Sequence, residues 1–472
     1  MNIVIETVGK GDRYMRIRYQ MGSILFCIIL FTSPVFGQDL PHIVSPESVG
    51  LSSSRLKHID KLMTRLVDEN KIGGSIVLIA RKGKPAYFES FGMADVGNPM
   101  RKNSLIRIAS FTKPVTCVAV MQLYEQGLIL LSDPVAKYIP EFARPKVIEM
   151  LPDEADPPYR LVPAKRDITI RHLLTNTSGI SYRFMANWFP DPKHQQLARL
   201  YESAGIFDGV SEIDGTIGEM VRKLGRMPLY NHPGEAFEYG LSTDVLGRVI
   251  EIVSGMNLND YFREYIFKPL KMTDTYFYPP EDKLHRLSAL WISDGMGNLR
   301  KMTDGLKREG TFIYSASYPY KGSKTYYSGG GGLISTAYDY FRFCQMLLNQ
   351  GDLDGFRLLG PKTVELMTAT NHIDTLDATF IHSKGWKFGL GFAIEMERGY
   401  DVDSGSKGIY EWAGIYSTRF SIDPREEKIT IMLTQTYPFD YHIDIWDRLT
   451  TLSSSAVIDS LVPKRAGPNN WN

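Results

Sequence analysis

Two strand pairs at opposite ends of the chain constrain its fold more than anything between them. Near the start, SIVLIA (75–80), the charged turn RKGK and AYFESFG (86–92) read as a β-hairpin. Near the end, YSTRFSID (416–423) and KITIMLTQ (428–435) flank the turn Pro424-Arg425-Glu426-Glu427. Each pair has a helix beside it. Ser52 to Asn70 carries Leu56, Ile59, Leu62, Met63 and Leu66 at helical spacing behind a serine run that caps it. A last helix is expected over roughly 441–460. The stretch from about 111 to 270 is mostly helical and offers no convincing hairpin. Thr336-Ala337-Tyr338-Asp339 reads as a capping box opening a helix over 337–349.

These patterns imply an α/β (α+β) fold: an antiparallel β-sheet flanked by N- and C-terminal helices, with an inserted, mostly helical domain. Residues 38–110 and about 325–460 would form the α/β part and about 111–280 the helical part, with a cleft where insert meets sheet. The segment 281–325 reads as a long loop, and its aromatic run FIYSASYPY (312–320) is placed to wall a substrate site.

Composition removes several classes of function. In 472 residues, 54 Lys and Arg nearly balance 53 Asp and Glu, so the chain lacks the basic footprint of a nucleic-acid binder. Three cysteines, Cys27, Cys117 and Cys344, are too few for a disulfide framework or a metal cluster. Cys117 and Cys344 each fall in an apolar helical run and are expected to be buried free thiols. The nine histidines show no H-x-H or H-E-x-x-H spacing, which argues against a zinc hydrolase. His172 and His232 are expected to lie behind or near the cleft.

Residues 15–37, MRIRYQMGSILFCIILFTSPVFG, have the anatomy of a signal peptide. Arg16 and Arg18 supply the positive region, Ile24 to Phe31 an apolar run too short to span a bilayer, and Val35 and Gly37 a cleavage site. The expectation is a signal peptide over 1–37 with Met15 as the working start, and a mature domain over 38–465. The alternative is an uncleaved anchor. Cleavage implies a periplasmic or extracellular protein with no stable membrane insertion. Without residues 1–37, which hold four basic and two acidic groups, the net charge moves from +1 to −1.

Ser-x-x-Lys occurs three times, at Ser54/Lys57, Ser110/Lys113 and Ser404/Lys407. About two matches are expected by chance in a chain of this length and ordinary composition, so context must choose. Ser54 belongs to an amphipathic surface helix and Ser404 to the polar loop DVDSGSKG. Ser110 opens RIASFTKPVTCVAVMQLYEQG, a helix expected from Phe111 to Gln126 and stopped by Gly127. Proline at 114 is tolerated only in a first turn, where its missing N–H has no partner to lose. That pins Ser110 to the helix start, where free amides and the dipole favour an oxyanion, with Lys113 on the same face. The segment by itself equally fits a capping serine followed by a snorkelling lysine.

RIASFTKPVTCVAVMQLYEQGLILLSDPVAKYIPEF resembles the active-site helix and following turn of the serine β-lactamase-related superfamily, which holds class C β-lactamases, DD-peptidases and related esterases. ITIRHLLTNTSGI (168–180), PGEAFEYGLSTDVLGRVIE (233–251) and GGGGLISTAYDYFRF (329–343) resemble further segments of it, in the same order. The resemblance implies Ser110 as nucleophile and Lys113 with Tyr239 as general base, where Tyr239-Gly240-Leu241 stands for the family's Tyr-x-Asn. An isolated tyrosine titrates near 10 and needs a cation such as Lys113 to act as a base near neutrality. Trp412-Ala413-Gly414 stands where lactamases carry Lys-Thr-Gly, and the backbone amides of Ser110 and Ile415 would form the oxyanion hole. Trp412, Ala413, Gly414, Leu241 and Arg419 are the expected substrate contacts. The missing lysine, together with Leu241 for Asn, favours neutral esters over β-lactams, although Arg419 could supply the cation instead.

The expectation is therefore an exported carboxylesterase that needs no metal or organic cofactor and takes a small-molecule ester or peptide-like substrate. A DD-peptidase or β-lactamase-like amidase is the alternative enzyme, and a non-catalytic binding protein on the same fold is the alternative of another class. Gly329 to Gly332 lacks both the P-loop ending and the dinucleotide spacing and reads as a tight turn under the site. No G-x-S-x-G elbow is present.

Overall fold

The computed structural model describes residues 40–152, 155–294, 296–378, 385–396, 405–438 and 443–462. The signal-peptide reading of 1–37, Cys27 and Ser404 lie outside the described residues. One sheet organises the rest. Its strands are β1 (Gly74–Arg81), β2 (Lys84–Asp95), β3 (Asn98–Pro99), β4 (Trp386–Phe388), β5 (Ala393–Glu395), β6 (Tyr410–Gly414), β7 (Thr418–Asp423) and β8 (Lys428–Thr434). They run antiparallel in the order β4-β5-β6-β7-β8-β1-β2-β3. The two hairpins read from the sequence thus meet edge to edge, with Leu78 opposite Ile431 in the β1–β8 pair.

The longest helices among the described residues are α1 (Ser53–Asp68), α2 (Thr112–Glu125), α3 (Pro192–Ser203), α4 (Ser242–Ser254), α5 (Ala337–Leu348) and α6 (Ile443–Ser455). Every residue of β1 is buried, yet alternate side chains enter different cores. Ile76 and Leu78 join the large core that holds α2, α4 and α5. Val77 and Ile79 join a smaller one with Leu56, Ile59, Leu62, Met63 and Leu66 of α1 and Ile445, Trp446 and Leu449 of α6. The terminal helices therefore cover one face of the sheet, and the helical region and α5 cover the other. Trp446 is 1% exposed. Trp446→Ala is expected to cost about 3–5 kcal/mol in urea unfolding, because the cavity cannot collapse against a sheet face.

Three details depart from the sequence reading. Lys146–Met150 pairs antiparallel with Tyr159–Pro163, a hairpin inside the region expected to lack one. Both strands are short and half exposed, so they carry no clean alternation, and Ile148 and Lys146 are tied to Leu229 by backbone bonds. The segment expected as a loop over 281–325 holds two short antiparallel pairs, Trp291–Ser293 with Leu299–Lys301 and Leu306–Glu309 with Phe312–Ser315. At α5, Thr336 Oγ1 caps the Asp339 N–H at 3.1 Å, but the Asp339 carboxylate accepts from Asp274 N and Thr275 Oγ1 rather than closing a capping box. Cys117 and Cys344 are buried free thiols. No helix among the described residues is long and apolar enough to cross a membrane.

Candidate active site

Ser110 sits in a single 3-10 turn, Ala109–Phe111, that leads directly into α2. Local bonds fix this turn. Ile108 N–H donates to Leu333 O at 3.1 Å. Thr112 Oγ1 donates to Ala109 O at 2.7 Å and accepts from Leu333 N–H at 3.1 Å. Tyr340 OH holds Phe111 O at 3.1 Å, and the Phe111 ring meets Tyr340 at 4.6 Å and Phe420 of β7 at 4.9 Å. Ala109, the residue before Ser110, adopts φ +44°. A side-chain-bearing residue in that left-handed region costs about 1–3 kcal/mol and persists only where its surroundings hold it.

Around the Ser110 hydroxyl the packing gathers groups distant in sequence. Tyr239 OH donates to Ser110 Oγ at 2.7 Å. The buried Lys113 ammonium has three donors and three acceptors: Ser110 Oγ at 3.2 Å, Tyr182 OH at 2.9 Å and Gly330 O at 2.8 Å. Its Nζ also lies 4.7 Å from the Tyr239 ring centre and 5.1 Å from that of Tyr182. A Cβ on Gly330 would come within 2.5 Å of Asp244 Oδ2 and 2.9 Å of Tyr182 OH, so the glycine run lets this backbone press against the site. Burial, with help from Tyr239, Asp244 and Asp208, drives the Tyr182 phenol well above its ordinary range, so it stays protonated.

The far wall is the β6–β7 hairpin. Ser417, at φ +62°, donates its N–H to Gly414 O at 3.0 Å and its hydroxyl to Thr436 O at 2.8 Å, which fixes the turn carrying Ile415. Trp412 packs edge-on against Phe388 at 5.4 Å and tilted against Tyr239 at 5.6 Å. Together these elements border an open cleft of about 530 Å³, solvent at its mouth included. Ala109, Ser110, Tyr239, Trp412, Ala413, Gly414 and Ile415 line it, beside Tyr182, Phe184, Trp188, Val210, Phe312, Gly330 and Gly331. Asp208 also lines it, and burial, opposed by Arg183, pushes its carboxyl up to about 7. No lysine or arginine lines this pocket among the described residues.

Two expected substrate contacts lie elsewhere. Leu241 is fully buried in the large core at the start of α4 and does not line the pocket. Arg419 pairs with Ala413 across the hairpin, so its side chain leaves by the face opposite to that of Trp412, bonds the Glu411 carboxylate and lies 5.1 Å from the Trp446 ring. The cation offered as a substitute for the lactamase lysine is therefore committed to the outer core. Of the other Ser-x-x-Lys pairs, Ser54 and Lys57 are exposed on α1, and Lys407 is exposed. His172 closes the cap of the helix Ile170–Leu174 with Thr169. Tyr182 is the group the sequence reading missed. It stands two residues beyond the segment 168–180, and only its contact with Lys113 distinguishes it from the other tyrosines. Among the described residues no cluster of three or more His, Cys, Asp or Glu could hold a metal ion.

A serine at a helix start, a lysine in its first turn and a strand edge across the pocket fit a class, the serine hydrolases of the β-lactamase fold. The chain belongs to the beta-lactamase family, whose model matches residues 59–451. It is 30% identical to Protein Rv1367c of Mycobacterium tuberculosis over 406 residues, 84% of this chain and 94% of that one. It is 28% identical to Esterase EstB of Burkholderia gladioli over 402 residues, 83% and 94% of the two chains. Among solved structures it resembles "EstCE1, a hydrolase with promiscuous acyltransferase activity", with TM-score 0.69, 27% identity and coverage of 86% of this chain and 99% of that one.

Proposed function

We propose that the chain is an exported carboxylesterase working through an acyl-enzyme on Ser110. The observation that carries this reading is the Ser110 hydroxyl, 2.7 Å from the Tyr239 phenol and 3.2 Å from the Lys113 ammonium at the edge of an aromatic pocket. Ser110 Oγ attacks the ester carbonyl carbon. Its proton passes to the Tyr239 oxygen, which takes part in this step as the phenolate, beside the Lys113 ammonium. The amides of Ser110 and Ile415 receive the developing oxyanion. Tyr239 then returns the proton to the departing alcohol oxygen, and a water molecule, deprotonated by the same pair, releases the acid. Tyr182, kept neutral, holds Lys113 in place and does not compete as base.

The lining supports an ester over a β-lactam or a peptide C-terminus. Both of those bring a carboxylate, and the described pocket lining offers it no cation while Asp208 stands on its wall. The mostly carbon lining also suits an alcohol as acyl acceptor in place of water, in keeping with the acyltransferase activity named for EstCE1. An active-site fluorophosphonate tests the reading directly: intact mass is expected to rise by one label, and Ser110→Ala to abolish the rise. A short p-nitrophenyl ester should then be turned over in preference to a chromogenic cephalosporin. Preference for the cephalosporin assigns the amidase reading instead. Absence of both labelling and turnover leaves a binding protein on a hydrolase fold.

A further inference from the structure

Behind the two active-site tyrosines lies a buried charged cluster. His194, in the first turn of α3, is 5% exposed and has a carboxylate on each ring nitrogen. Nδ1 meets Asp191, the residue that caps α3, and Nε2 lies 3.2 Å from Glu238 Oε1. A neutral imidazole has one N–H and would turn a lone pair toward one of these anions, whereas the imidazolium satisfies both. Glu238 Oε1 also accepts the Ser181 hydroxyl at 2.5 Å. Glu238 directly precedes Tyr239, and Ser181 directly precedes Tyr182. The two segments touch backbone to backbone: a Cβ on Gly240 would fall 2.0 Å from Ile180 O and 2.7 Å from Ser181 Cα. The Ser181–Glu238 bond is thus a side-chain clip one residue behind each phenol that flanks Lys113.

We propose that His194 is a positioning residue for the acyl-transfer site: as an imidazolium it holds Glu238 on Ser181, and through that clip it keeps the Tyr239 and Tyr182 hydroxyls at Ser110 and Lys113. The proposal rests on Ser110 being the nucleophile. The charged and titratable groups facing the ring are Asp191 from its own helix, Glu238, and Tyr230, whose ring stacks on it at 3.9 Å; the Lys193 ammonium lies 4.5 Å from the Tyr230 ring centre, within reach of the Glu149 charge. Burial works against charge on the ring, but Glu238 and Asp191 outweigh it and raise its pKa above the ordinary histidine value. The ring therefore holds its proton to higher pH than an ordinary histidine, and the clip weakens as pH rises through its midpoint.

The test is the rate at which a fluorophosphonate labels the full-length protein, followed by intact mass across neutral and alkaline pH. Proton NMR of the histidine rings gives the His194 midpoint, assigned by the signal missing in His194→Gln. His194→Gln is expected to label about 10- to 100-fold more slowly, the usual penalty for an ångström-scale misplacement. The wild-type rate should fall as pH passes the NMR midpoint, and that inflection should be absent from His194→Gln. A purely structural role would lower the amount of folded protein without removing the inflection. Ser181→Ala, which deletes the clip's donor and its longer 3.3 Å bond to Tyr182 O, should slow labelling in the same sense and stands in if His194→Gln does not fold. Wild-type labelling with an unchanged rate in Ser181→Ala, or an inflection that survives in His194→Gln, overturns the proposal alone. A wild type that takes no label overturns the nucleophile assignment and the proposal with it.

Discussion

Ser110→Ala is expected to lower ester turnover by about 10⁴-fold or more, the scale seen when an activated serine nucleophile is removed. The substitution deletes one oxygen from a preformed turn and leaves its backbone, the Ile108–Leu333 bond before it and the Phe111–Tyr340 bond intact, so unfolding by urea should scarcely change. Lys113→Met keeps the apolar stem and loses the head that bonds Ser110, Tyr182 and Gly330. It should cost about 10³-fold in kcat, within the usual range for loss of a general base. Tyr239→Phe should fall in the same range, and Tyr239→Phe combined with Lys113→Met should cost far less than the product of the two, because the pair moves one proton as a unit. Steady-state kinetics with a p-nitrophenyl ester decide these outcomes. Residual turnover above a few per cent in Ser110→Ala would place the nucleophile elsewhere.

Gly414→Ala is the second large effect. A Cβ at this position would lie 2.3 Å from Thr418 Oγ1 and 2.7 Å from Ile108 O. The threonine tip can rotate away, but the Ile108 carbonyl is main chain and accepts the Phe111 N–H that closes the Ser110 turn. The added methyl must therefore push the β6 edge away from that turn, moving the Ile415 amide away from the Ser110 amide. Loss of one oxyanion donor costs about 10²–10³ in kcat, with KM for a small ester little changed. Folding should lose only about 1–3 kcal/mol, the cost of modest overpacking. Gly414→Ala with Thr418→Ala separates the two contacts: turnover should stay low, because the carbonyl clash remains. Full recovery in the double variant would assign the effect to the threonine and remove the case for a displaced oxyanion donor.

Both predictions turn on a site of which half was legible beforehand. Ser110, Lys113 and the proline that fixes their place in a first turn follow from rules acting over three or four residues. The two hairpins follow from period-two alternation, and the split of β1 between two cores is the same alternation seen in space. Tyr239, Trp412, Gly414 and Ile415 entered through the resemblance of longer segments, and all four line the pocket with Ser110.

What stayed hidden depends on which way a side chain leaves its backbone and on which distant segment meets it. Arg419 and Trp412 sit on one hairpin, but odd and even positions go to opposite faces, so one reaches Trp446 and the other reaches Tyr239. Leu241 stands two residues from Tyr239 and still turns into the core. Tyr182, 69 residues from Lys113, and Gly330, 217 residues away, are joined to it only when the glycine run packs against α4. The sequence by itself determined the terminal helices, the two sheet hairpins and the helix start that exposes a serine, because each is a local periodicity or a local steric limit. Tertiary structure alone decided which phenols, carbonyls and aromatic rings surround that serine, because close packing across long separations leaves no mark in any short stretch of chain.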